Sequence, residues 1–314
     1  MSLITKPGIY TDISAADYFA DPCPEPSFTQ SIGKVLIAQS PMHARTEHPR
    51  LAPPVAAEEE ETEKYVVAQA IGNAAHKLII ERGKEIAVAD FDSWRGKAPQ
   101  EFKDAALAKG HVPILSKHMA KAYAMERGFR AQLKDHAEGD VFTAGKGEVV
   151  LAWQEDGFWF RQMIDWLPDS LLGGDDLKTT AMSASPYALG MLAANAGWDV
   201  QAAMMERGLN ALDPKNASRR KFRFVALENY EPFALNVMVM NEDWLGMGRK
   251  KLEYAITAWK VCMARDKWPG YPRAGVTPEY PGFKEAQWLD REIKEASEAR
   301  VPQRNEMLTD LSGG

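Results

Sequence analysis

The stretch GEVVLAWQEDGFWFRQMIDWL, from Gly147 to Leu167, constrains the fold more than any other part of this chain. Two apolar, β-rich runs flank Glu155-Asp156-Gly157, and an Asp-Gly pair between such runs is a strong short-range signal for a hairpin. The next segment, GGDDLKTT (173–180), predicts another short strand after a Gly-Gly turn. Helical spacing then returns. Ser185 is placed to cap a helix with Pro186 in its first turn, and Gly197 ends that helix before WDVQAAMMERG begins another. KFRFVALE and PFALNVMVM read as two further strands around Asn229-Tyr230, and a long helix is expected from about Glu242 to Ala264.

The order helix, hairpin, strand, helices, two strands, helix predicts an α/β (α+β) fold, a mixed central sheet flanked by helices. Upstream, YVVAQAIGNAAHKLIIERG carries Val67, Ile71, Ala75, Leu78 and Ile79 near the helical period, with Gly83 as its stop. The run Glu58 to Glu61 before it reads as a solvated lead-in. Residues 1–55 are proline-rich and read as an arm packed on the core. Its one helical piece is PSFTQSIGKVLIAQSP, capped by Ser27 or Thr29. Between about 92 and 138, Phe102, Ala106, Met119, Ala122, Tyr123, Met125 and Phe129 recur with helical spacing, which predicts one or two inserted surface helices. The core is expected over 56–273, and 274–314 forms a charged tail partly free of it.

Composition bounds the function. With 314 residues, 45% apolar content and nine tryptophans, the chain can bury a substantial core. No 18-residue apolar run is present, and MSLITKPGIYTDIS lacks the blocks of a signal peptide, so no membrane association and a cytoplasmic location are expected. Cys23 and Cys262 lie far apart without metal-ligand spacing. The net charge of −6 argues against a broadly basic nucleic-acid surface. It does not exclude a nuclease, whose metal-binding carboxylates concentrate negative charge. The basic stretches Arg219, Arg220, Lys221, Arg223 and Arg249, Lys250, Lys251 read first as solvated surface.

Asp165 lies near the end of the hairpin's second strand, and Asp176 and Lys178, two apart, point to one face of the next. If the strands pair, two carboxylates and an ammonium converge. Close carboxylates repel, and a hard divalent ion such as magnesium removes that repulsion. Pro168-Asp169 followed by Asp176-Leu177-Lys178 spells a PD-(D/E)XK motif literally, but Asp169 falls in a polar turn segment. Asp165 is therefore the preferred first acid.

The chain resembles the RecE-type exonucleases (exodeoxyribonuclease VIII-like) of phage recombination systems, in the PD-(D/E)XK nuclease superfamily. The resemblance rests on PGIYTDISAADYFADP, SFTQSIGKVLIAQSP, GNAAH, RQMIDWLP, DLKTTAMSASP, GWDVQAAMM and WPGYP, over roughly residues 7–273. It implies a restriction-endonuclease-like core. It implies that His76, in G-x-x-x-H, helps Asp165 and Asp176 ligate metal, with the Leu177 carbonyl as a further oxygen. Lys178 would be the catalytic lysine, and Gln201 the glutamine of a Q-x-x-x-Y motif whose tyrosine is replaced by Met205. The implied cofactor is Mg2+, with Mn2+ as a substitute. The implied substrate is the end of double-stranded DNA, digested 5′ to 3′ in the cytoplasm of a bacterial host. A single-strand annealing protein and a homo-oligomeric ring are the implied partners.

Taken singly, these residues have plainer readings. His76 would be a core or surface histidine, Asp176 and Lys178 a surface ion pair, and Gln201 a helix-surface amide. Glu148 reads as a solvated strand end or an acid behind the metal ligands. Thr179 and Thr180 read as strand residues, and Trp198 and Tyr187 as core. The alternative functions are a nickase, endonuclease or single-strand exonuclease on the same scaffold, or a non-catalytic DNA-end-binding assembly factor.

Overall fold

The computed structural model describes residues 3–53 and 63–300. The acidic run Glu58 to Glu61 lies outside them. By contacts the chain divides into a unit ending at Gly270 and a second from Tyr271.

The first unit is built on a six-stranded sheet. Its strands are β1 (Gly8–Tyr10), β4 (Gly145–Glu155), β5 (Phe158–Pro168), β6 (Gly173–Thr180), β7 (Lys221–Glu228) and β8 (Leu235–Val239), in spatial order β1-β4-β5-β6-β7-β8. Only β6 and β7 pair in parallel; the other neighbours are antiparallel. The fold is thus the mixed sheet flanked by helices that the sequence predicts. β4 and β5 turn at Asp156-Gly157, both with positive φ (51° and 81°), as a two-residue hairpin turn matched to strand twist requires.

A parallel pair needs a crossover, and α7 (Pro186–Ala196) and α8 (Trp198–Leu212) supply it between β6 and β7. Ser185 caps α7 by accepting from the Ala188 amide, and Gly197 joins the helices at φ 65°. α9 (Glu242–Arg265) is capped by Asn241, whose side chain accepts from the Trp244 amide.

Strand alternation separates two apolar layers. Val149, Leu151, Trp153, Phe222, Phe224 and Ala226 pack in one core with α2 (Gln30–Ala38), α8 and α9. Leu177, Val225 and Leu227 pack in the other with α4 (Glu63–Ile80) and α6 (Ser116–Leu133).

Four details depart from the sequence expectations. The amino-terminal segment supplies edge strand β1 and helices α1 (Ala15–Phe19), α2 and α3 (Pro41–Glu47), so it takes part in the sheet as well as packing on it. The 92–138 region is not wholly superficial. α5 (Lys97–Ala108) is mostly exposed, but α6 buries Met119, Ala122, Met125 and Phe129. β2 (Ile86–Ala89) and β3 (Val112–Leu115) form a separate parallel pair that the sequence did not announce. β5 meets β6 in register only at Trp166 and Asp175. Nearer its start, β5 instead receives Phe28, whose amide donates to the Trp159 carbonyl at 2.9 Å.

The second unit contains α10 (Gly282–Arg300). Phe283, Trp288, Leu289 and Ile293 on that helix are exposed.

Candidate active site

The short meeting of β5 and β6 places Asp165 beside the strand that carries Asp176 and Lys178. The Leu177 amide donates to Asp165 Oδ2 at 2.9 Å. Asp176 and Lys178 form a close ion pair on one face of β6, while the Leu177 side chain enters the opposite core. The Lys178 ammonium also lies 5.9 Å from the centre of the Phe224 ring, on which Trp198 stacks.

α4 brings His76 to the same place, with Nε2 3.4 Å from Asp165 Oδ2. Gly72 permits this approach, because a Cβ there would stand 3.0 Å from Thr179 Oγ1 on β6. From α8, the Gln201 amide donates to Asp176 Oδ2. His76, Asp165, Asp176, Lys178 and Gln201 therefore form one contiguous group drawn from four elements.

The electrostatics are those of a crowded carboxylate pair. Burial, reinforced by the charge of Asp165, pushes the Asp176 carboxyl up to about 6, and Lys178 only partly offsets this. Burial also works against ionised Asp165, but His76, Lys178 and the Leu177 amide outweigh it and hold that carboxyl below its usual range. Burial lowers the basicity of His76 and Lys178, yet in each case the carboxylates more than compensate and the net shift is upward. Asp176 Oδ1 is buried and, apart from the ion pair with Lys178, has no hydrogen-bond partner among the described residues. A cation would relieve both that orphaned oxygen and the repulsion.

Among the described residues no three His, Cys, Asp or Glu side chains are gathered tightly enough to hold a metal unaided. A hard divalent ion such as magnesium keeps several waters and takes one or two carboxylates plus substrate phosphate oxygens. The donor set thus fits a hard divalent ion completed by solvent and substrate.

Other residues fall elsewhere. Asp169 lies in the turn after β5, its amide bonded to the Ala144 carbonyl at 2.9 Å. Met205, at the position of the missing tyrosine, is fully buried in the core. Trp198 is core, as read, whereas Tyr187 is 98% exposed on α7 and is not. In the basic stretches Arg219, Lys221, Arg249 and Lys250 are exposed, as read, whereas Arg223 is buried, and most of these cations have acidic partners. Arg220 pairs with Asp213, Lys221 with Glu138, Arg223 with Asp175, Arg249 with Glu206, and Lys251 with Asp199.

Glu148, at φ 50°, lies in β4 between the register pairs Gly147–Trp166 and Val149–Ile164. Burial, and next to it the charge of Asp165, push its carboxyl up, against the pull of His76. It borders a cleft of about 490 Å³ between arm residues Thr11 to Ala16, the end of α4 and Lys109 to His111. Lys34 and Asp199, which sequence reasoning passed over, also lie in the electrostatic field of the site. The available signal was a lysine between the buried residues Gly33 and Val35.

Residues 52–276 match the family described as a PDDEXK-like domain of unknown function (DUF3799). The chain belongs to that family. It thereby falls in the PD-(D/E)XK nuclease superfamily, whose members generally use divalent metals, and the more specific RecE-type resemblance is a separate matter. A crystal structure from Eubacterium rectale, described as a "putative exonuclease", has a similar fold: TM-score 0.54 at 10% identity, covering 86% of this DUF3799 chain and 94% of that one. The structure of SSO0001 aligns at TM-score 0.26 and 10% identity, over 64% and 88% of the two chains, which is too weak to carry argument. Comparison with curated proteins finds no match. Among the described residues no helix is long and apolar enough to cross a membrane.

Proposed function

We propose that this DUF3799 protein is a RecE-type, metal-dependent exonuclease that hydrolyses phosphodiesters from the ends of double-stranded DNA, 5′ to 3′, in phage-type recombination. The observation that carries the reading is the convergence of a buried carboxylate, Asp176, and a half-buried one, Asp165, from adjacent strands with Lys178, His76 and Gln201. Asp165 and Asp176 would hold Mg2+, or Mn2+ in its place, with His76 and the Leu177 carbonyl as further donors. When bound, such an ion supplies charge neutralisation and a more acidic water.

The chain's own groups do the rest. Lys178, kept protonated by the two carboxylates, orients the attacking water and faces the charge that develops on the phosphate. That is fixed electrostatic stabilisation in a partly dry site. Gln201 fixes one oxygen of Asp176, so the carboxylate need not reorganise as substrate arrives. His76 orients Asp165 from the other side. The resemblance further supports a homo-oligomeric ring, handover of the 3′ strand to a single-strand annealing protein, and action in the cytoplasm of a bacterial host.

The test uses purified protein with magnesium and three substrates: 5′-labelled linear duplex, 3′-labelled linear duplex and closed circular duplex. Early release of the 5′ label with an intact circle is expected. Asp176→Asn and Lys178→Met should each lower the rate on the order of a hundred- to a thousandfold, while Asp169→Asn stays near wild type. Cutting of the circle would replace the exonuclease reading with an endonuclease. Absence of metal-dependent hydrolysis would leave a DNA-end-binding factor.

A further inference from the structure

Lys34 lies on α2, whose neighbouring residues Ile32, Gly33, Val35 and Leu36 are buried. Its stem runs over the α7–α8 junction. Lys34 Cε, Cδ and Cγ pass 3.0, 3.2 and 3.3 Å from the point where a Cβ on Gly197 would stand. Gly197 thus serves twice: it takes the left-handed φ of 65° that the junction needs, and it leaves the channel the lysine occupies.

The ammonium at the end of that stem lies in the field of the catalytic group. Lys178 repels it, while Asp176 and Asp199 attract it. Both acids are already engaged: Asp176 with Lys178, and Asp199 with Lys251 at 2.6 Å. Among the described residues Lys34 has no hydrogen bond or ion pair within 4 Å. Burial first, and the charge of Lys178 second, lower its pKa to about 8. Lys34 is itself half-buried, and a partly desolvated cation with no ion-pair partner is costly. A metal ion held by Asp165 and Asp176 would raise that cost. A negative group arriving from outside the chain would offset it.

We propose that Lys34 is a second substrate-contacting cation of the site, pairing with a phosphate oxygen of the bound DNA strand. The proposal rests on the nuclease reading and deepens it. α2, far from the catalytic strands in sequence, would then help bind the strand being cut. As an ammonium on a flexible stem, Lys34 would act as a point charge on phosphate, indifferent to base sequence.

The experiment measures binding of linear duplex DNA to the full-length protein with calcium in place of magnesium, over a series of salt concentrations. Lys34→Met keeps the stem and removes the charge. One lost phosphate contact should reduce the slope of log K against log salt by about 0.9, with binding about tenfold weaker and equally so for unrelated sequences. Lys34→Arg should restore most of both. The melting temperature of Lys34→Met should equal or exceed that of wild type, because a partly desolvated charge without an ion-pair partner has been removed. A merely structural lysine would give lower stability with an unchanged slope, and that result overturns the proposal. So does an unchanged slope and affinity. Lys34→Gln provides a second neutral variant if the first fails to fold. The wild-type nuclease assay is read separately: wild-type hydrolysis with an unaltered Lys34→Met slope refutes only this inference, whereas loss of metal-dependent hydrolysis in wild type refutes the function beneath it.

Discussion

His48 shows how strongly this interior acts on a single titratable side chain. Its ring is fully buried, 3.5 Å from Asp21 and 5.4 Å from the centre of Trp259. Burial pushes its pKa down to about 4, although Asp21 and the Ser27 carbonyl pull the other way. An unfolded histidine titrates near 6.5, so between these values the unfolded chain binds a proton that the folded chain refuses. The corresponding stability is complete above about pH 6.5 and is lost as pH falls toward 4, to a limit of about 3 kcal/mol. Urea midpoints should therefore drop between pH 7 and pH 5 more steeply for wild type than for His48→Gln; parallel curves would refute this. The same scale shows which single residues could be read in advance. Asp176 and Lys178 followed from the two-residue period of a strand, and Asp165 from the apolar run behind it. Lys34 could not be placed, because one lysine on an apolar helix looks alike whether it snorkels to solvent or reaches a site. Tyr187 misled because aromatic content says nothing about which face of α7 is covered.

At the scale of elements, α8 links the site to the rest of the fold. It crosses α9 at Gly248, where a Cβ would stand 2.1 Å from the Asp199 carbonyl oxygen and 3.1 Å from Ala203 Cβ. Gly248→Ala must push the helices apart, at about 1–3 kcal/mol, and must shift the turn of α8 that carries Gln201. A lower melting temperature together with a reduced kcat is expected; wild-type values of both would show that the helices do not approach this closely. The elements legible in the sequence were those long enough to span several periods, namely the hairpin, the α7–α8 crossover and α9. β1, β2 and β3 have three or four residues each, too few for alternation to show. Their pairing joins segments distant in the chain, which no local window contains.

For the whole molecule, a buried guanidinium adds to the strand pairing and backbone bonds that hold the amino-terminal segment. Arg161 pairs with Asp21 at 2.9 Å, donates to the carbonyls of Tyr18 and Ser27 at 3.1 and 3.2 Å, and lies 5.2 Å from the centre of the Tyr18 ring. Removing one partner of such a pair strands the other charge, at about 3–5 kcal/mol. Arg161→Met should lower stability by that order and expose residues before about 30 to limited proteolysis; an arm as protease-resistant as in wild type would contradict this. Since the arm leads into α2, the same variant should also weaken whatever α2 contributes to substrate binding. The hairpin offers a practical handle on all of this. Its tip at Asp156-Gly157 lies eight or nine residues along β5 from Asp165, about 25–30 Å at the strand rise. A fluorophore attached at Asp156 would lie outside the reaction centre yet within energy-transfer range of a dye on a DNA terminus, so the shortening of a single duplex could be followed in real time.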